Sequence, residues 1–326
     1  MEYVRLGATG LKVSRLALGC MSFGEPDRGN HQWTLGEAEA RPLFRKALDA
    51  GINFLDTANV YSDGTSEEIV GRLIKEHGRR DEVVLATKVF GRMNASPNGT
   101  GLSRKAILSE VDNSLRRLGT DYIDLYQTHF WDNDTPIEET LEALNDVVRA
   151  GKVRYIGASN MYAWQFATAI QISKRKSWAA FASMQLHLNL IYREEEREML
   201  PLCRAEGIGV MTFSPLARGI LTKDSGTQSK RAETDNVTGR FYEKAAAADQ
   251  TIVDEVAKIA RERNLPRAQV ALAWVLQTPG VTCPIIGATK SSHLEDAVGA
   301  LEVKLTDEEV KRLQEPYVPH QVVGLM

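Results

Sequence analysis

The chain has 326 residues, of which 43% are apolar and 25% charged, with 40 Lys+Arg against 43 Asp+Glu and a net charge of -3. Disordered and fibrous classes are excluded by that composition, and the basic surplus of a nucleic-acid binder is missing. Three widely spread cysteines, Cys20, Cys203 and Cys283, make no disulfide framework and fit a reducing compartment. No apolar leader follows a basic start and no stretch approaches 18 uncharged apolar residues. The expectation is therefore a cytoplasmic protein without a membrane span.

Tyr3–Val13, with its Gly-Ala-Thr-Gly turn, reads as a hairpin that closes the bottom of the fold. Short β-branched runs then begin near Leu16, Asn53, Val83, Ile123, Val153, Ala182, Gly209 and Cys283. Helical spacing of apolar residues marks Glu37–Ala50, Ser66–His77, Ser103–Leu118, Ile137–Ala150, Tyr162–Lys174 and Arg193–Glu206. Gly51, Gly151 and Gly207 stand just past three of these, where a left-handed cap is wanted. Strand–helix alternation implies a parallel sheet covered by helices. Eight strands at this length fit one (β/α)8 barrel domain over residues 1–326. A doubly wound open sheet is the alternative, but it lacks the GxGxxG turn of a dinucleotide fold. The polar stretch 217–248 reads as a long loop, a lid or a plain surface excursion with equal weight. Thr306 followed by Asp-Glu-Glu caps one last short helix before a proline-containing tail.

In such a barrel the C-terminal ends of the strands face the mouth. Asp56 ends the second run and Lys88 the third. The next four lead to His129, to Ser159-Asn160, to Gln185 and to Ser214. Each has a bland reading: Asp56 as a helix cap, His129 as structural, Tyr61 as packing. Lys88 is harder to dismiss, because an ammonium beside a core needs a partner. Together these groups suit carbonyl reduction. A phenol titrates near pH 10; a neighbouring ammonium lowers that value, a carboxylate holds the ammonium, and a histidine orients the carbonyl. Tyr61 then protonates the alkoxide that forms as hydride arrives. The chain has no hydride source of its own, which implies a nicotinamide cofactor.

Five ordered segments carry a family resemblance. They are Asp56–Glu67, Leu115–Leu125 with His129, Gly151–Asn160, Ser214–Gly219 and Ile285–Lys290. Over nearly its whole length the chain resembles the aldo-keto reductase superfamily, in wording closer to the bacterial branch that includes the potassium-channel β-subunits than to aldose reductase. The resemblance implies a (β/α)8 barrel that binds NADP(H) across its C-terminal face. It implies Tyr61 as general acid/base with Asp56 and Lys88 tuning it, and His129 orienting the substrate. Ser159, Asn160 and Gln185 would bond the carboxamide, and Phe213 would stack on the nicotinamide. Ser214, Pro215, Leu216 and Arg218 would follow the pyrophosphate. Gly287, Thr289, Lys290, His293 and Asp296 would hold the adenosine end, with Arg240 a further candidate. His293 and Asp296 depart from the usual residues; Lys290 still favours NADP(H), and NAD(H) is not excluded.

Met21, Trp33, Phe130 and Trp131 are the expected substrate walls. The partner is a small carbonyl or alcohol; nothing in the residues selects which one, or an oligomeric state. A redox-sensing nucleotide-binding module is the rival reading, but His129 argues for turnover. A metal hydrolase is remote, since the six histidines are scattered without HxH or HExxH, and no GxSxG supports a serine hydrolase.

Overall fold

The computed structural model describes residues 1–29, 31–77, 80–223, 236–242 and 245–325. Eight parallel strands close into a barrel: β3 (Ala17–Gly19), β4 (Phe54–Asp56), β5 (Val84–Val89), β6 (Ile123–Thr128), β7 (Val153–Ser159), β8 (Phe181–His187), β9 (Gly209–Phe213) and β10 (Val281–Gly287). They pair in chain order, and β10 returns to β3. The expected (β/α)8 architecture is therefore the observed one, and the open sheet is excluded.

The strands are short and buried on both faces, as parallel strands between a core and a helical shell must be. Alternate residues point inward. Ala17, Phe54, Val84, Ala86, Leu125, Ala182, Met211, Cys283 and Ile285 fill the barrel, together with Leu6 and Val13. The last two come from the hairpin of β1 (Tyr3–Arg5) and β2 (Lys12–Ser14), the predicted floor. Arg15 staples that floor: its guanidinium donates to the carbonyls of Leu276, Val281 and Thr282.

The shell contains α1 (Glu37–Asp49), α2 (Thr65–His77), α3 (Arg104–Leu118), α4 (Ile137–Arg149), α5 (Ala163–Lys176) and α6 (Met199–Glu206). Further along are α7 (Asn236–Tyr242), α8 (Ala246–Glu262), α9 (Arg267–Gln277), α10 (Ser291–Gly299) and α11 (Asp307–Gln314). Ser103 caps α3 through Ala106 N–H, and Gly119 ends it at φ 62°. The expected helix Arg193–Glu206 is split into a single 3-10 turn, Glu194–Glu196, and α6. Pro201 explains the break, since proline fits a first helical turn but clashes with a carbonyl four residues back. The stretch 217–248 is less irregular than expected. It holds a 3-10 turn at Ala217–Thr222, then α7 and the start of α8. Residues 224–235, 243 and 244 of that stretch lie outside the described residues. No helix among the described residues is long and apolar enough to cross a membrane.

Candidate active site

Register brings the polar strand ends into one layer. Asp56 pairs with Ala86, Lys88 with Gln127, Gln127 with Gly157, and Ser159 with Gln185. Lys88 is fully buried. Its Nζ donates to Asp56 Oδ2 at 2.6 Å, to the Thr57 carbonyl at 2.9 Å and to the Tyr61 hydroxyl at 3.3 Å. The other Asp56 oxygen accepts from Gln127 Nε2 and Gln185 Nε2, both at 3.0 Å. A buried carboxylate is tolerable only when its lone pairs are met in this way.

Burial alone would push the Lys88 ammonium toward its neutral form. The Asp56 carboxylate and the Tyr61 oxygen outweigh it, and its pKa ends above the ordinary value. Tyr61 differs from the simple expectation. Burial raises its pKa, Lys88 pulls it back only in part, and Asp56 raises it again, so the net shift is upward. A neighbouring ammonium lowers a phenol's pKa, but the desolvation that comes with a buried site outweighs it here. The phenol is thus held protonated and hydrogen-bonded to a fixed cation.

The loop that delivers Tyr61 is strained. Ser62 and Asp63 have φ of 46° and 51°, and Gly64 has φ 93°. A Cβ on Gly64 would lie 2.7 Å from Arg117 Cδ. Beneath the loop, Glu67 is fully buried, accepts from Thr87 Oγ1 at 2.6 Å and pairs with Arg117 Nε at 2.6 Å. Arg117 also reaches Glu110, which accepts from Asn59 Nδ2. One carboxylate therefore ties α2 to α3 and to the strand residue beside Lys88.

His129 stands edge-on to Tyr61, ring centroids 5.8 Å apart, and stacks on Phe130 at 5.0 Å. Burial and then Lys88 depress its pKa well below the usual range, so the imidazole is neutral. Its Nδ1 has no hydrogen-bond partner among the described residues. Asn160, in a left-handed conformation, donates to the His129 carbonyl and to Ser159 Oγ.

The expected tetrad Asp56, Tyr61, Lys88 and His129 is assembled at one mouth. Gln185 is there too, but its Nε2 is spent on Asp56. Gln127 was not singled out in the sequence, although period-two spacing puts it on the face of Leu125 and His129. Ser214, Pro215, Leu216 and Arg218 follow β9 in a turn where Ser214, Ala217 and Arg218 all have positive φ. Gly287 ends β10, and Thr289 and Lys290 lead into α10, which carries His293 and Asp296. His293 Nδ1 accepts the Thr289 N–H, and burial with Lys290 lowers its pKa, so it offers a neutral ring rather than a cation. The Arg240 side chain lies outside the described residues.

Met21 is half-buried beyond β3, and Trp33 is buried in the loop before α1. Phe130 packs at 5.5 Å from Phe90. Trp131 turns toward the helical shell. With Leu102, Thr128 and Met161 it lines a small enclosed void, and its ring lies 6.2 Å from the exposed Trp164. All three cysteines are free and buried, and no cluster among the described residues could hold a metal.

The family model described as Aldo/keto reductase family matches residues 15–317. Versiconal hemiacetal acetate reductase of Aspergillus parasiticus is 44% identical, covering 99% of this chain and 98% of its own. An aldo-keto reductase of Fusarium vanettenii is 40% identical, covering 99% and 93%. Another from Metarhizium robertsii, dtxS3, is 41% identical, also covering 99% and 93%. These relatives are fungal, whereas the wording of the motifs suggests a bacterial branch. With a closed eight-stranded barrel, a lysine shared between an aspartate and a tyrosine at its mouth, and matches along nearly its entire length, the chain belongs to the aldo/keto reductase family.

Proposed function

We propose that the protein is an oxidoreductase of the reducing cytoplasm that interconverts a small aldehyde or ketone and its alcohol, using NADP(H) in preference to NAD(H). One observation carries this reading: an ammonium with no exposed surface, held by a carboxylate on one side and hydrogen-bonded to a phenol on the other. A structural lysine gains nothing from a tyrosine hydroxyl at a barrel mouth; a proton donor does.

The residues fit a dinucleotide laid across the mouth. At one end Lys290 has no ion-pair partner among the described residues, and Arg218 lies on the loop that follows the neighbouring strand β9. Two cations suit phosphates, and Lys290 suits a 2′-phosphate. Ser159 and Asn160 would meet the carboxamide, Phe213 the nicotinamide face, and Ser214 to Leu216 the pyrophosphate. Gly287, Thr289, His293 and Asp296 would surround the adenosine. When bound, the cofactor supplies or accepts the hydride.

Everything else falls to the chain. His129 donates a hydrogen bond to the carbonyl oxygen and sets its angle. Tyr61 gives its proton to that oxygen as negative charge builds there. Lys88 then stabilises the phenolate, and Asp56 keeps Lys88 in place and charged. In the oxidising direction the phenolate takes the proton back. Phe130 and Met21 would wall the substrate. The relative named versiconal hemiacetal acetate reductase supports reduction as the reaction.

The test is NADPH oxidation with a panel of aldehydes and ketones, alongside NADH and a Tyr61→Phe variant. The variant should lose roughly 10²–10⁴-fold in kcat, the range expected for a removed general acid, with NADPH binding retained. Equal turnover by both proteins removes Tyr61 as the donor. Tight NADPH binding without reduction of any carbonyl by the wild type overturns the assignment as an enzyme of this reaction.

A further inference from the structure

Beneath Phe213 the structure has a second aromatic layer that the tetrad chemistry does not use. The His187 ring lies parallel to Phe213, centroids 5.0 Å apart at 10°, and parallel to Tyr192 on its other face, 4.2 Å apart at 14°. His187 is buried at the end of β8, paired in register with Phe213 at the end of β9. The edge of the ring reaches a different part of the chain: Nε2 is 2.6 Å from the hydroxyl of Tyr242, the last residue of α7.

The surrounding bonds hold that contact in place. Asn189 Oδ1 accepts from Ile191 N–H, which orients the amide. Its Nδ2 donates to the Ser214 carbonyl at 2.9 Å and to the Tyr242 hydroxyl at 3.0 Å, and also lies 3.2 Å from His187 Nε2. The hydroxyl accepts from Asn189 and shares a single hydrogen with His187 Nε2 across the 2.6 Å contact, its direction following the tautomer of the ring. Nδ1 is buried without a partner among the described residues. An unpaired buried polar atom is costly, and a phenylalanine would fill the same slot without it. The histidine's advantage over a hydrocarbon ring is the hydrogen bond it shares with Tyr242.

We infer that His187 is a positioning residue for the cofactor. Its face sets the plane of Phe213, and its edge fastens α7 through Tyr242, so that seating the nicotinamide and docking α7 are energetically coupled. This rests on the reading that Phe213 lies against the nicotinamide. The link is physically continuous. Ser214, the residue after Phe213, is held by the same Asn189 amide that holds Tyr242, and Arg218 Nε further along that turn donates to Thr238 of α7 at 3.2 Å. A shift of Phe213 strains the stack and the hydrogen bond together, and release of α7 frees the stack to tilt.

The experiment is a double-mutant cycle on NADPH affinity, read by fluorescence titration, with Tyr242→Phe, His187→Phe and the pair. Each single change keeps an aromatic ring, and near-ultraviolet circular dichroism reports whether packing survives. The dissociation constant is expected to rise at least fivefold in each single variant and no more than twofold further in the double. Affinity for 2′,5′-ADP, which lacks the nicotinamide, should change less than twofold; a merely structural loosening would weaken both ligands alike. Additive losses, equal losses on 2′,5′-ADP, or no loss at all overturn the inference. Phe213→Leu separates the two levels. If it leaves NADPH affinity unchanged, the stacking reading fails and the coupling with it. If it weakens NADPH while the other variants do not, the coupling alone fails.

Discussion

Asp56→Asn, taken together with Lys88→Met, tests whether the site is built on one shared carboxylate. Asp56 faces a cation through Oδ2 and two amide donors through Oδ1. An asparagine has one acceptor end and one donor end. Whichever way it turns, an NH2 group points at Lys88 or at the two glutamines. Unit charges near 4 Å at an effective dielectric of 20 interact by about 4 kcal/mol. Breaking a buried pair costs roughly 3–5 kcal/mol, so each single change should cost about 4 kcal/mol. The double variant is different: with the ammonium gone, the asparagine turns its oxygen to Gln127 and Gln185. The double should therefore cost no more than one single, a coupling of about 3 kcal/mol or more. Thermal and urea unfolding of the four proteins measure this, and each single should lose on the order of 8 °C. Lys88→Met should also move the base limb of alcohol oxidation to higher pH, because Tyr61 loses the cation that restrains its pKa while Asp56, which raises it, remains. Additive destabilisation in the double variant, or a single variant with unchanged stability and pH profile, refutes the reasoning.

Burial lowers the His187 pKa to about 3, with Arg218 and His320 adding to it. The unfolded chain takes up this proton first as pH falls, so stability is lost between the ordinary histidine value and 3. Between pH 7 and 5 this one ring accounts for about 2 kcal/mol, and unfolding of His187→Phe at both values should show that much less acid sensitivity than the wild type. Gly71→Ala in α2 should destabilise by about 1–3 kcal/mol although alanine is the better helix former. Its Cβ would lie 2.2 Å from the Leu118 carbonyl oxygen, and an unchanged thermal midpoint would contradict that approach. Glu67→Gln should cost about 3 kcal/mol by stranding Arg117. It should also lower kcat, since Thr87 and the Asn59–Gly64 loop lose their common anchor; full stability and full rate in this variant would remove Glu67 from that role.

The strands are legible in the sequence because a strand buried on both faces reads as a short, mostly apolar run between helical patterns, and each of the eight begins within a few residues of its predicted start. The grouping of Asp56, Lys88 and His129 with Tyr61 is legible because a barrel puts strand ends at one mouth. Gln127 is not, and neither is the true partner of Gln185. Both depend on the stagger between strands, which no single strand carries in its own residues. The His187–Tyr192–Tyr242 cluster is invisible for a similar reason: its members come from β8, the loop after it and α7, and each alone looks like an ordinary buried aromatic. The helix signal also fails in 217–248, where a short helix and the alanine-rich start of a long one read as polar loop. Alanine forms helix well but marks no apolar face.

The floor of the barrel also sets a problem of timing. Arg15 is bonded to carbonyls 266 and 267 residues further along the chain, and β3, only three residues long, has β10 as one of its two neighbours. During synthesis at the ribosome the hairpin is made long before its partner exists. Leu6 and Val13 must stay uncommitted while seven strands assemble around an unfinished wall, and the last strand closes the ring in a step of very long range. Such late, non-local closure is slow and leaves apolar surface open to misassociation. Slow refolding in vitro is thus expected to trace to the β10–β3 seam rather than to the mouth that holds Lys88 and Tyr61.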